Sequence, residues 1–282
     1  MSTFRITNEC PIIINYGLTN KKLYFHSTDY EELYLKNKKE KGPDWYYYDN
    51  EIEYKYNSWG YRTKEFDDLD KDYLLTFGCS YTEGIGLHYE DMWSTKLSKV
   101  LNLDIFNLGS GGNGADFQMY NTILFFNYVL KLNKLPKLVV YQWPEKHRST
   151  FAFKSKEYSE IELQQFSGAI PEEWYPKNSL KYGSWYFYSY LENRGELIKN
   201  TNIHPMTVDA LWKSAGVKVL HWTYSIDFEM IHKESFISNN VDLINVIDDS
   251  TSKARDCSHN GKESQDIVIK YLLKKLNFNG IG

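Results

Sequence analysis

The sequence is short of cysteine, of arginine and of long apolar runs, and each shortage removes a class of protein. Its three cysteines, Cys10, Cys79 and Cys257, are odd in number and far apart. That spacing supports neither a disulfide scaffold nor a zinc site. The longest apolar stretches, Thr122 to Leu130 and Leu138 to Trp143, fall well below the roughly 20 residues of a membrane-spanning helix. The start, Met1-Ser2-Thr3-Phe4-Arg5, has no basic segment followed by an apolar run, so the chain is expected to stay in the cytoplasm of the producing cell, with association with a virion as the alternative. Positive charge is lacking too: 33 basic against 37 acidic residues leave a net −4. No global field would draw in nucleic acid or an anionic membrane, and neither is expected as a partner. Only five of the basic residues are arginines, and lysine does not replace arginine where two parallel hydrogen bonds are needed.

What is present is a globular composition, with 42% hydrophobic, 25% charged and 17% aromatic residues. The 24 tyrosines bring rings that bury well despite a polar tip. Residues 1–68 read as a β-rich extension. Ile52, Tyr54 and Tyr56 alternate with charged residues, and Trp45 to Tyr48 before them suggest the other arm of a hairpin.

From residue 69 to 282 the pattern is strand, turn, helix. Short apolar runs at Tyr73 to Phe77, Asp104 to Leu108, Leu138 to Trp143 and Val217 to Trp222 alternate with helical spacing around Trp93 to Leu101, 115–133, Val208 to Trp212 and Ile267 to Leu276. Such alternation predicts a parallel sheet with helices on both faces. Residues 149–205 interrupt it and read as an insertion. Within the insertion, Ser184 to Tyr190 is dense in aromatics that could stack on sugar rings, or simply pack the insertion onto the domain.

Chemistry in such folds collects at the C-terminal ends of the strands, and three turns there stand out. Gly78-Cys79-Ser80-Tyr81-Thr82-Glu83-Gly84 puts a serine on a tight strand-to-helix turn, where its hydroxyl is exposed and its own N–H faces an oxyanion. A phosphate-binding loop would want a lysine after the last glycine, and Ile85 follows instead. Asn107 to Gly114 ends a strand in glycines whose N–H groups can face an anion. Asp256-Cys257-Ser258-His259 places a carboxylate where it can hold an imidazole Nδ1–H, leaving Nε2 to accept a proton from a serine.

Taken in order, these segments resemble the SGNH (GDSL-type) hydrolase family. Gly78-Cys79-Ser80 with Thr82 and Gly84 is similar to its first block, Gly112 to the glycine of its second, and Asp256 with His259 to its last. Asn57-Ser58-Trp59-Gly60-Tyr61-Arg62 and Glu90-Asp91-Met92-Trp93 resemble segments flanking the first block. The resemblance implies a flavodoxin-like three-layer α/β/α sandwich and hydrolysis of a small acyl ester, such as an O-acetyl group on a glycan. It implies Ser80 as nucleophile, His259 as base and Asp256 as its orienter, with N–H groups of Ser80 and Gly112 in the oxyanion hole.

One block departs from the family pattern. An asparagine usually ends the third strand and donates to the oxyanion, whereas this chain reads Tyr141-Gln142-Trp143-Pro144. Gln142 is the candidate substitute, and Asn113 and Arg148 are further candidates for substrate contact, an ion pair being the plainer role for Arg148. The altered block keeps two alternatives open: a binding or structural protein on the same fold, and an acyltransferase using the same residues. The remaining histidines show no metal-ligand spacing, and neither metal nor cofactor is expected.

Overall fold

A computed structural model of the chain describes residues 4–7, 11–67, 69, 71–154, 161–166, 198–225 and 241–277. The aromatic run Ser184 to Tyr190 lies outside the described residues. The first strands are short: β1 (Phe4–Ile6), β2 (Ile14–Asn15), β3 (Lys22–Leu23) and β4 (Tyr54–Lys55), with helix α1 (Glu31–Lys41) between the last two. There follow β5 (Tyr73–Gly78), α2 (Ser80–Glu83), α3 (Trp93–Leu101), β6 (Asp104–Gly109), α4 (Ala115–Leu132), β7 (Leu138–Trp143), β8 (Ser149–Lys154) and β9 (Ile161–Phe166). Helix α5 (His204–Ser214), strands β10 (Lys218–Thr223) and β11 (Leu243–Asn245), and helix α6 (Lys262–Lys275) follow.

The central sheet has five strands in the order β11-β10-β7-β5-β6, flanked by helices. Strand β5 pairs in parallel with β6 and β7, and β10 with β11. Numbered along the chain, this is the 2-1-3-4-5 order of flavodoxin-like folds, whose switch point falls between the first and third strands, here β5 and β7. Both of these strands are buried along their whole length, as near-continuous apolar runs in a parallel sheet should be. Asn102 and Asn133 close α3 and α4 in the left-handed conformation, the usual way to end a helix without glycine.

The hairpin expected from Trp45 to Tyr56 does not form. Tyr54–Lys55 pairs with Lys22–Leu23 instead. Trp45 and Tyr47 spend their apolar surface on a side-chain cluster with Ile52, Tyr54, Tyr56 and Ile85. Helix α1 also went unread, because its only buried residue is the polar Asn37 and a helix without an apolar stripe leaves no periodicity to find. Its other signals were present: Glu31 and Glu32 in the first turn, lysines in the last, and Gly42 at the stop.

The chain forms two compact units. One comprises residues 1–14, 112–135 and 143–245; the other comprises 15–111, 136–142 and 246–282. In the first, β8 and β9 form an antiparallel pair extended by β1. Phe117 of α4 packs there with Ile13 and Leu163, and Phe126 meets Trp212 of α5 edge-on at 5.0 Å.

In the second unit, residues 15–67 brace two loops. Arg255, 2% exposed, donates to Asp29 through Nε (3.0 Å) and Nη2 (2.8 Å). The Tyr54 hydroxyl donates to the same carboxylate and accepts the Gly86 N–H at 2.8 Å. The Arg255 N–H closes the circuit on the Gly86 carbonyl at 2.9 Å. Arg62, also buried, donates to the carbonyls of Gly84 (2.7 Å), Leu87 (2.9 Å) and Glu53 (3.0 Å). One partner lost from a buried pair strands the other charge. Asp29→Ala should therefore lower unfolding free energy by about 3–5 kcal/mol in urea titrations. The double variant Asp29→Leu/Arg255→Met should recover much of that loss.

Candidate active site

Strand β5 ends at Gly78, and the chain turns at once into α2, a single helical turn closed by Gly84 in the left-handed conformation. The turn is tight because glycines let it be. A Cβ on Gly78 would lie 2.0 Å from the Thr82 hydroxyl, and one on Gly109 would lie 2.5 Å from the Glu83 nitrogen. Asn107 secures the packing, accepting the Gly109 N–H (2.9 Å) and donating to the Thr82 carbonyl (2.7 Å).

Ser80 stands at the start of α2, 9% exposed. The loop before α6 brings His259 to it, with Nε2 2.8 Å from the Ser80 Oγ. His259 Nδ1 lies 2.5 Å from Asp256 Oδ2. The ionised carboxylate only accepts, so the Nδ1 proton points at Asp256 and Nε2 is left to accept the serine proton. The other Asp256 oxygen accepts the N–H groups of Ser258 and His259, both at 3.0 Å. Burial raises the Asp256 carboxyl, but the His259 ring bond and charge with these two N–H groups outweigh it, leaving it below the ordinary range. Cys257, between them, adopts a left-handed conformation with φ 56°, which turns the loop sharply enough for Asp256 and His259 to face each other. Tyr81 meets the His259 ring edge-on at 5.1 Å.

Gln142, at the end of β7, is fully buried. Its Oε1 accepts the Cys79 N–H (3.0 Å), the Cys79 thiol (3.1 Å) and the Thr82 hydroxyl (3.3 Å). A backbone N–H can only donate, so the oxygen end of the amide is the one held beneath the serine turn. Cys79 is sealed there with no exposure, packed as a small hydrophobe.

The structure thus brings Ser80, His259, Asp256 and Gln142 together in one unit. Gly112, Asn113 and Arg148 belong to the other. There Gly112 has φ 77°, Asn113 is fully buried, and Arg148 pairs with Glu145 at 2.7 Å. Sequence reading missed Glu83, a buried carboxylate accepting from the Tyr56 hydroxyl at 2.8 Å and the Gly111 N–H at 2.6 Å. It also missed Asp29 and Arg255, since nothing in an isolated acidic or basic residue announces a buried partner far along the chain. Among the described residues, no group of three metal-ligating side chains comes together, and no helix is long and apolar enough to cross a membrane.

No protein-family model and no curated protein matches the sequence. Among solved structures, the chain is similar to an acetyl xylan esterase from the rumen bacterium Butyrivibrio proteoclasticus, at 12% identity and a TM-score of 0.42. That alignment covers 73% of this chain and 64% of the esterase, so the chain spans less than two thirds of that protein's length. It is similar also to an acetylxylan esterase from Geobacillus stearothermophilus (12% identity, 75% and 96% covered, TM-score 0.40). A member of the lipolytic G-D-S-L family from Veillonella parvula is a third (12% identity, 73% and 98% covered, TM-score 0.36). At these identities, every residue role is left to the geometry of this chain.

Two outcomes follow from that geometry. Gln142→Met, close in volume but with only a weak sulfur acceptor, leaves the buried Cys79 N–H poorly satisfied and should cost about 1–3 kcal/mol of stability. Asp256, with its carboxyl lowered by folding, contributes stability that is full above its unfolded value and fades as pH falls through the lower folded one. The stability gap between the parent and Asp256→Asn, measured in urea, should therefore be wide at pH 6 and close progressively below about pH 4.

Proposed function

We propose that this chain is a serine esterase that hydrolyses small acyl esters, with O-acetyl groups on a glycan as its substrate class. The observation that carries the reading is the continuous relay from Ser80 through His259 to Asp256, with links of 2.8 and 2.5 Å. In the reaction the Ser80 oxygen attacks the ester carbonyl while its proton passes to His259 Nε2. Asp256 holds the Nδ1–H and stabilises the imidazolium that forms. The carbonyl electrons move onto oxygen, where the N–H of Ser80 serves as a donor. Collapse expels the alcohol, which takes its proton from His259, and leaves an acyl-serine. Water then enters by the same route, giving its proton to His259, and the carboxylic acid departs as Ser80 regains a proton.

Gln142 enters this reading as a positioning residue. With its oxygen committed to the Cys79 N–H, it sets the Ser80 turn. That placement also favours a second reading, in which an oxyanion hole without a side-chain donor supports only activated esters and the protein mainly binds acylated ligands. Loss of one oxyanion donor lowers turnover about 100- to 1000-fold, enough to separate the readings.

The deciding experiment measures hydrolysis of an aryl acetate and of acetylated xylan by the parent and by Ser80→Ala. The esterase reading expects turnover of both, its loss in Ser80→Ala with little change in melting temperature, and an organophosphonate adduct on Ser80. Turnover of the aryl ester alone supports the second reading. Release of the phenol without free acetate, and only when a sugar acceptor is added, turns the assignment to acyl transfer, and a parent inert to ester and phosphonate alike overturns it.

A further inference from the structure

The Ser80 turn carries a buried carboxylate that the relay does not use. Glu83 lies one helical turn beyond Ser80 and is 2% exposed. Its Oε1 accepts the Tyr56 hydroxyl at 2.8 Å, and His26 Nε2 lies 3.5 Å from the same oxygen. Its Oε2 accepts the Gly111 N–H at 2.6 Å. Gly111 is close to the nucleophile: a Cβ placed on it would stand 3.7 Å from the Ser80 Cβ. Burying a carboxylate is costly unless its oxygens are bonded, and a surface glutamate would serve if α2 needed only helix propensity. Glu83 does something a helix does not require, tying the glycine loop after β6 to the serine turn.

We propose that Glu83 is a positioning residue that clamps the Gly111 peptide and so holds the glycine loop in its working position beside Ser80. The proposal rests on the esterase reading for its catalytic consequence, although the clamp itself does not. A carboxylate is suited to the task because it accepts and never donates, which leaves one orientation for the Gly111 peptide. Donors arranged before the reaction cost no reorganisation when charge develops on the acyl oxygen. Tyr56 and His26 hold Glu83 from the N-terminal segment, so that segment reaches the glycine loop through this side chain.

The test compares Glu83→Ala, Glu83→Gln and Tyr56→Phe in the full chain. Misplacing a catalytic group by about 1 Å can cost about 100-fold, so Glu83→Ala should lose about that much kcat on an aryl acetate. KM should change little, because the loop acts on the transition state. Phosphonylation of Ser80 should slow in parallel. Glu83→Gln keeps an oxygen for the Gly111 N–H and should restore most of the rate. Tyr56→Phe removes a bond to the same carboxylate without touching Gly111, so it should lower the melting temperature and leave kcat nearly intact.

Amide exchange at Gly111, followed by NMR, reads the clamp without reference to activity. Protection should vanish in Glu83→Ala and persist in Tyr56→Phe. Persistent Gly111 protection in Glu83→Ala, or equal kcat losses in Glu83→Ala and Tyr56→Phe, overturns the clamp. A protected Gly111 in a parent that neither turns over esters nor takes up phosphonate upholds the clamp and removes the esterase reading.

Discussion

The geometry of the site depends on the buried pair between Asp29 and Arg255. Ser80 and His259 are separated by most of the chain, and the 2.8 Å between Ser80 Oγ and His259 Nε2 must be held by something stiffer than two loops. Asp29 is the shared node. It binds Arg255, the residue directly before Asp256, and it binds the Tyr54 hydroxyl that captures the Gly86 N–H on the serine side. The backbone link from Arg255 N–H to the Gly86 carbonyl then joins the two loops without an intermediary. A buried ion pair adds little net stability compared with a well-packed apolar pair. Its gain here is directional: a bidentate guanidinium admits few arrangements, and the loops inherit that restriction.

This explains why the N-terminal segment is tolerant in form and strict in a few side chains. Its strands are two or three residues long and its one helix is almost wholly solvated. What reaches the Ser80 and His259 loops is delivered by Asp29, Tyr54 and Arg62, all buried. Arg62 is the clearest case. Its guanidinium stacks 4.6 Å from the Tyr54 ring centroid while its N–H groups collect the carbonyls at the end of α2. A lysine, with no planar fork, could not do both.

Legibility in the sequence followed the strength of the local constraint. The strands β5 and β7 were readable nearly to the residue because strands buried on both faces read as near-continuous apolar runs bounded by turns. The serine turn was readable because Gly78 and Gly84 are demanded by contacts that any other residue would violate. The Asp-x-x-His spacing was readable because three residues are what a tight loop needs to fold a carboxylate onto an imidazole. The hairpin at Trp45 to Tyr56 misread aromatic alternation as backbone pairing, when the rings were forming a side-chain cluster. Glu83 sat in plain view within the motif yet gave no signal, since a charged residue on a short turn is ordinarily solvated. Only the approach of Gly111 and Tyr56, fixed by the tertiary fold, makes it a buried acceptor.

A second Asp–His pair shows why pairing alone does not make a relay. Asp209 Oδ1 lies 3.1 Å from His221 Nε2, both nearly buried, and Lys213 holds the other carboxylate oxygen at 2.7 Å. Burial raises this carboxyl, and the bonds from His221 and Lys213 more than offset it, as happens at Asp256. The difference lies at the far ring nitrogen. His221 Nδ1 accepts the Trp143 indole N–H at 3.1 Å. An indole can donate but has no nucleophilic lone pair to offer, so the chain of hydrogen bonds ends in the core. At His259 the same position meets a hydroxyl at the mouth of a strand-to-helix turn. Both pairs obey one electrostatic logic; what distinguishes them is whether the last group in line is a serine hydroxyl or an indole N–H.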